Sequence, residues 1–166
     1  YCLAPKLDQA ALVYDAFYKM VEAEEELKEL AKKRRSDIYL EETNTTIKPI
    51  AFNAKKSDGF NPQLVICDEM AAWSGDGGLK QYEVMKSALG ARRQPMILSI
   101  STAGYINDSI YDELMKRATS FLKGNSKERR LLPFLYIIDD VEKWNDITEL
   151  KKANPNMGVS VQEGFF

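Results

Sequence analysis

Three short apolar runs, each closed by polar or acidic residues, constrain this chain more than any other feature. Leu64-Val65-Ile66-Cys67 ends at Asp68-Glu69, Met96-Ile97-Leu98-Ser99-Ile100 ends at Ser101-Thr102-Ala103-Gly104, and Phe134-Leu135-Tyr136-Ile137-Ile138 ends at Asp139-Asp140. Unbroken apolar residues, in place of strict alternation, are what a strand buried on both faces of a parallel sheet carries. Between the runs the spacing turns helical. Tyr82, Met85 and Leu89 space one short helix, after a loop at Gly75, Gly77 and Gly78 and before a left-handed cap at Gly90. Ile110, Leu114, Ala118 and Phe121 space another, from Asn107 or Asp108 to Gly124. Strands alternating with helical stretches of about a dozen residues build βαβ units, so the predicted fold class is α/β, a parallel sheet flanked by helices.

The ends of the chain are read the same way. Tyr1-Cys2-Leu3-Ala4 is a short buried strand stopped by Pro5. From Asp8 as N-cap, Val13, Phe17, Met20, Val21, Leu27, Leu30 and Ala31 recur at helical spacing, with Glu24–Lys28 and Glu29–Lys33 as i,i+4 pairs on the outer face. Residues 37–53 scatter β-branched and aromatic residues among Thr, Asn and Glu, which predicts short edge strands or a hairpin, and Asp58-Gly59 marks a turn. A short helix over Thr148–Ala153 precedes Asn154-Pro155-Asn156 and Gly158, which read as a linker or hinge.

Composition removes several classes of function. With no histidine among 166 residues, His-ligated zinc sites, Ser-His-Asp triads and Cys-His pairs cannot be built. Cys2 and Cys67 are too few for the disulfide framework of a small secreted domain. No stretch approaches the roughly 18 apolar residues of a membrane span, and no signal-peptide layout opens the chain. A formal net charge of -2 gives no global basic field for nucleic acid. The start at Tyr1, without an initiator Met, reads as a segment of a longer protein.

In open parallel sheets, ligands bind beyond the carboxyl ends of the strands. Asp68 and Glu69 leave such an end side by side. An Asp there can hold magnesium, while the Glu beside it orients and deprotonates a water for attack on a terminal phosphate. That is the Walker B arrangement with a following catalytic Glu; the same acids also suit a strand end that merely starts a loop. Ser101 to Gly104 offer hydroxyls and backbone amides that can sense a phosphate, or form only a turn. Asp139 and Asp140 suit a second metal site or a turn, and Trp73 and Trp144 suit base stacking or packing. Arg92 and Arg93 suit an arginine finger or a helix dipole. The run Lys32-Lys33-Arg34-Arg35 suits DNA contact or the solvated end of a helix.

Four pieces, in order, resemble the HK97-like family of phage terminase large subunits. They are Ala4-Pro5-Lys6-Leu7-Asp8-Gln9-Ala10; Ser57-Asp58-Gly59-Phe60-Asn61-Pro62 leading into Leu64 to Glu69; Ser101-Thr102-Ala103-Gly104-Tyr105; and Ala153-Asn154-Pro155-Asn156-Met157-Gly158. The resemblance implies a P-loop NTPase core of the RecA/ASCE-like kind. Asp68 would be the Walker B magnesium residue and Glu69 the residue that activates water. Ser101, Thr102, Ala103 and Gly104 would be the motif coupling hydrolysis to DNA movement. Residues 1–153 would be a partial motor domain, and 154–166 the start of a linker toward a nuclease domain not present in these residues.

The family hydrolyses ATP with magnesium in the cytoplasm of the bacterial host. It drives double-stranded DNA through the portal protein as a ring of subunits, with a small terminase subunit as partner. Two departures stand out. Met70-Ala71-Ala72-Trp73 follows the acid pair, where many relatives carry a His. No Gly-rich loop ending in Gly-Lys-Ser or Gly-Lys-Thr occurs, so the Walker A loop and its strand are missing. The segment alone is therefore expected neither to bind ATP tightly nor to hydrolyse it. It is also expected to expose unpaired strand edges, repaired by dimerising, swapping an element or rearranging the sheet. The alternatives are a helicase-type ATPase fragment and a non-catalytic interaction module from a defective prophage.

Overall fold

The computed structural model describes residues 1–52, 59–105 and 108–165. The expected turn residue Asp58, the Ser57-Asp58 lead-in, the end of the 37–53 stretch and a helix start at Asn107 lie outside the described residues. The chain divides into two compact units, Tyr1–Leu114 and Met115–Phe166.

In the first unit, β1 (Cys2–Ala4) is stopped by Pro5 and leads into α1 (Leu7–Ala23). Lys6, not Asp8, is the N-cap; Asp8 lies in the first turn, where a negative charge favours the helix dipole. Ala10, Tyr14 and Val21 are buried, whereas Met20 is 67% exposed and Phe17 only partly covered. The expected single helix through Ala31 does not form. Glu24 is extended (φ -117°), α2 (Glu25–Leu30) follows, and Ala31–Lys33 become the strand β2. Pairing explains the change: β2 runs antiparallel to β3 (Ile38–Leu40), which pairs with β4 (Thr45–Ile47), a three-stranded sheet that packs Ala31, Leu40 and Ile47 around buried Ile38. Helical spacing alone does not outweigh that ladder. The expected hairpin is therefore present, turning through Asn44 at φ 51°, a conformation Asn tolerates.

The main sheet adds β5 (Pro49–Ala51), β6 (Leu64–Cys67) and β7 (Met96–Ser99) to β1, in the order β5-β1-β6-β7, all parallel. Side chains alternate across it. Leu3, Val65 and Cys67 face a core with Met70, Trp73, Tyr82, Met85, Leu89 and Ile110; Cys2 and Ile66 face the other side, with Tyr14 and Ile38. The double burial predicted for Leu64–Cys67 holds in part: the clusters on the two faces of the sheet bury Val65 and Cys67 and partly cover Ile66, whereas Leu64, at the start of the strand, is 40% exposed. β7 departs from its expected burial: its ladder partner among the described residues is β6 alone, and Met96 and Leu98 are exposed.

Helix α3 (Gly75–Ala88) connects β6 to β7. Its glycines do not form the expected loop but its first turn. A Cβ on Gly78 would stand 2.7 Å from the Trp73 carbonyl oxygen, so glycine lets the helix start hard against Trp73. Gly90 lies in a 3-10 turn (Leu89–Ala91) and has no positive φ, so the predicted left-handed cap is absent there. The helix α4 (Ile110–Leu122) starts at Ser109, whose backbone N–H donates to Asp112 Oδ2 at 2.9 Å, half of a capping box, and ends before Gly124 at φ 74°, as expected.

The second unit holds a correction. Phe134–Ile138 forms no strand: the segment pairs with nothing among the described residues, and Phe134, Tyr136 and Ile137 are exposed. Its apolar composition is strand-like, but a strand needs a ladder partner. Arg117 Nε donates to both Glu128 carboxylate oxygens at 2.8 and 2.9 Å. The predicted short helix is α5 (Ile147–Ala153), capped by Asp146 Oδ1 accepting from Thr148 N at 2.8 Å. The Asn154–Gly158 stretch folds as a turn, with Gly158 N donating to Val161 O at 2.7 Å and Gly158 at φ 83°.

Candidate active site at the carboxyl edge of the sheet

The carboxyl ends of β6 and β7 and the first turns of α1 enclose one cleft of about 280 Å3. Gln9, Asp68, Glu69, Ser101 and Thr102 line it together with Leu12 and Ile100. Parallel pairing produces this convergence, because neighbouring parallel strands release their following loops at the same edge.

Asp68 is fixed through its backbone: its N–H donates to Leu3 O at 3.0 Å, and its carbonyl accepts from Trp73 Nε1 at 2.8 Å. Its carboxylate Oδ1 accepts from the Glu69 N–H at 3.0 Å. Glu69 then leaves the strand in the left-handed region (φ 52°, ψ 51°). That conformation is uncommon for a residue with a Cβ and is maintained only by its surroundings. It turns the chain into the 3-10 turn Met70–Ala72 and leaves the Glu69 side chain exposed.

The loop after β7 is built onto that turn. Met70 N donates to Ile100 O at 3.2 Å, and Ala71 N donates to Ser101 Oγ at 2.9 Å. Ser101 Oγ in turn donates to Thr102 O at 2.8 Å. A Cβ on Gly104 would lie 2.5 Å from Ala71 Cβ, so the loop approaches as closely as glycine permits. The structure thus brings Asp68, Glu69, Ser101 and Thr102 to one cleft, while Ala103 does not line it and Gly104 serves the loop-to-loop contact.

Residues 1–120 match the family described as "Terminase large subunit, ATPase domain". The chain belongs to that family. It is similar to Protein YmfN of Escherichia coli (strain K12), 36% identical over 112 residues, which is 67% of this chain and 24% of YmfN. It is also similar in fold to a solved structure, "Crystal structure of the HK97 bacteriophage large terminase", with a TM-score of 0.68 at 21% identity over 98% of this chain and 33% of that one. The chain therefore spans about a quarter of YmfN and a third of the HK97 protein.

In this terminase-family chain several other candidates have structural employment. Trp73 is fully buried and packs edge-to-face on Phe52, with ring centroids 4.2 Å apart, which excludes base stacking; Trp144 is exposed. Arg92 Nη2 donates to Asn61 O at 2.9 Å, tying together the segments that precede β7 and β6. Within the basic run, Lys32 pairs with Glu41, Arg34 pairs with Asp37 at 2.6 Å, and Lys33 lies 3.7 Å from the centre of the Tyr18 ring. The run is thus part of β2 and the turn after it, not a helix end. Asp139 pairs with Lys152 at 2.7 Å, and Asp140 Oδ1 accepts from Glu142 N at 3.1 Å, the arrangement of a turn. No group of three or more Cys, Asp or Glu side chains that could hold a metal occurs among the described residues.

Gln9 is the cleft residue that reasoning from single residues missed. Its Nε2 donates to Glu69 Oε2 at 3.5 Å, and its Oε1 is buried without a partner among the described residues. The sequence carries a faint signal for it. Gln9 lies in the first turns of the helix after β1, and whatever follows β1 reaches the same edge as Asp68 once β1 and β6 pair.

Proposed function

We propose that the cleft is the hydrolytic half of a magnesium-ATP site in a DNA-packaging motor, with Asp68 as the metal residue and Glu69 as the base. One observation carries this reading: two adjacent carboxylates from an interior parallel strand share a cleft with the hydroxyl-bearing Ser101 and Thr102. Magnesium takes hard oxygen ligands, commonly one or two carboxylates, with substrate phosphates and water completing its shell. The donor set here is all oxygen and fits that ion. When bound, magnesium neutralises developing phosphate charge. Asp68 holds its carboxylate steady through the backbone bonds on both sides. Glu69, exposed to the cleft, orients a water and takes its proton. Ser101, through Ala71, passes a change at the phosphate to the turn that follows Glu69.

The sequence contains no Gly-Lys-Ser or Gly-Lys-Thr loop, so phosphate cradling requires a loop from outside these 166 residues. The outer edge of β7, unpaired among the described residues and with Met96, Leu98 and Ile100 exposed, supports a sheet completed by an additional strand. On this reading the chain alone does not hydrolyse ATP, and residues 154–166 lead toward a nuclease domain. The family supports the remaining roles: a ring of subunits moving double-stranded DNA, with a portal protein and a small terminase subunit as partners, in the bacterial cytoplasm. No described helix is long and apolar enough to cross a membrane.

The test is magnesium-dependent ATP hydrolysis by the full-length protein, with and without double-stranded DNA, beside Glu69→Gln. Loss of a general base predicts a fall in kcat of about 100-fold or more with nucleotide binding retained. Equal activity in both proteins, or none in either, overturns the reading and returns Asp68 and Glu69 to a strand-end turn.

A further inference from the structure

We infer that Gln9 is a positioning residue for Glu69: its side-chain amide, carried by the first turns of α1, biases where the Glu69 carboxylate stands in the cleft. The inference rests on the role proposed for Glu69.

Gln9 and Glu69 are 60 residues apart in sequence, so their contact at 3.5 Å is a product of the β1–β6 pairing and not of local chain geometry. The direction of the bond is set by chemistry. A carboxylate only accepts, so the Gln9 nitrogen faces it, and the amide oxygen is thereby committed elsewhere. That oxygen is sealed from solvent and finds no donor among the described residues. Buried acceptors are nearly always paired, and an orphan one is a cost carried by the folded state. An apolar side chain of similar shape would avoid that cost here, so what the site gains from glutamine is the donor toward Glu69.

Glu69 has reason to need such a donor. Its left-handed backbone takes the side chain out of the strand's alternation and leaves it exposed, where rotamers would otherwise interchange freely. At 3.5 Å the bond is at the limit of useful length. It biases the carboxylate without locking it, as a base that must approach a water requires. Gln9 acts on the reaction only through Glu69.

Two measurements test it. Without nucleotide, in this 166-residue chain labelled with 15N-glutamine, the Gln9 side-chain amide signal is assigned by its loss in Gln9→Ala and then followed in Glu69→Ala. A shifted signal with faster solvent exchange is expected; an unchanged one overturns the contact. In the full-length protein, Gln9→Ala is expected to lower kcat about 10-fold with KM for ATP within about twofold, and to add no further loss to Glu69→Gln. Gln9→Glu, which sets carboxylate against carboxylate, should be at least as impaired.

A merely structural role would instead lower stability and act additively with Glu69→Gln, and that result overturns the inference. Unchanged kcat in Gln9→Ala, while Glu69→Gln is inactive, overturns the inference and leaves the ATPase reading intact. Full activity in Glu69→Gln overturns both.

Discussion

Ser101 and Ala71 are joined across two loops by a hydrogen bond of 2.9 Å, donated by the Ala71 backbone N–H and accepted by the Ser101 hydroxyl oxygen. The bond links the segment after β7 to the turn after Glu69, so neither can shift far without the other. Three residues further on, Gly104 presses the same loop against Ala71. A hydroxyl and a missing side chain thus join two strand ends into one mechanical unit. Such an arrangement suits two discrete states better than gradual deformation.

The Gly104 contact gives the most direct stability prediction. In Gly104→Ala the new methyl would stand 2.5 Å from Ala71 Cβ, a carbon that no side-chain rotation can move aside. Overpacking of this kind costs about 1–3 kcal/mol, so thermal unfolding followed by circular dichroism should move down by several degrees. Removing the opposing methyl in Gly104→Ala/Ala71→Gly should restore at least half of the loss. An unchanged melting temperature in the single variant would show that the two loops are not packed as described.

How much of this was legible beforehand depended on how local each signal is. Leu64–Cys67 announces an interior strand because four apolar residues in a row need cover on both faces; β1 and β7 flank it, and the clusters on the two faces cover Val65, Ile66 and Cys67, while Leu64 at its start stays exposed. Asp68 and Glu69 could be placed at its carboxyl end for the same reason. Phe134–Ile138 carries an equal signal and forms no strand, because a run of residues cannot report whether a neighbouring strand is present. Ala31–Lys33 misled in the opposite direction: helical spacing reaches through Ala31, but the partner that decides the conformation is Ile38–Leu40. Gln9 was visible only as part of a family-like stretch, since its proximity to Glu69 arises from strand order. The glycines at 75, 77 and 78 signalled a loop, yet Gly78 has its value inside a helix, where Trp73 leaves no room for a side chain.

Both cysteines should be inert in the folded chain. Burial pushes the Cys67 thiol up to about 12, and it raises Cys2 as well. At pH 8 the thiolate fraction of Cys67 is then about one part in ten thousand, and thiolate is the reactive form. Neither Cys2 nor Cys67 should react with iodoacetamide within minutes at that pH, and both should react once the chain is unfolded in denaturant. Rapid labelling of Cys67 under native conditions would mean that β6 opens readily, against its interior place in the sheet.

In the second unit, Glu149 is the residue whose titration should report folding. The Lys152 ammonium, hydrogen-bonded to its carboxylate, and the Asp139 N–H donating to Oε2 at 2.7 Å hold its carboxyl below the ordinary value of 4.5. A folded-state value depressed in this way contributes stability that is fully present above the unfolded value, near 4.5. That contribution is lost as pH falls through the folded one. Carbon NMR of the Glu149 carboxyl should therefore give a midpoint below 4.5, and Lys152→Met should raise it toward 4.5 without reaching it, because the Asp139 N–H still donates. The variant should also lose less stability than the wild type on going from pH 6 to pH 3, since part of the pH-dependent term has gone. A midpoint unmoved by Lys152→Met would show that the ion pair does not hold α5 against the segment at Asp139.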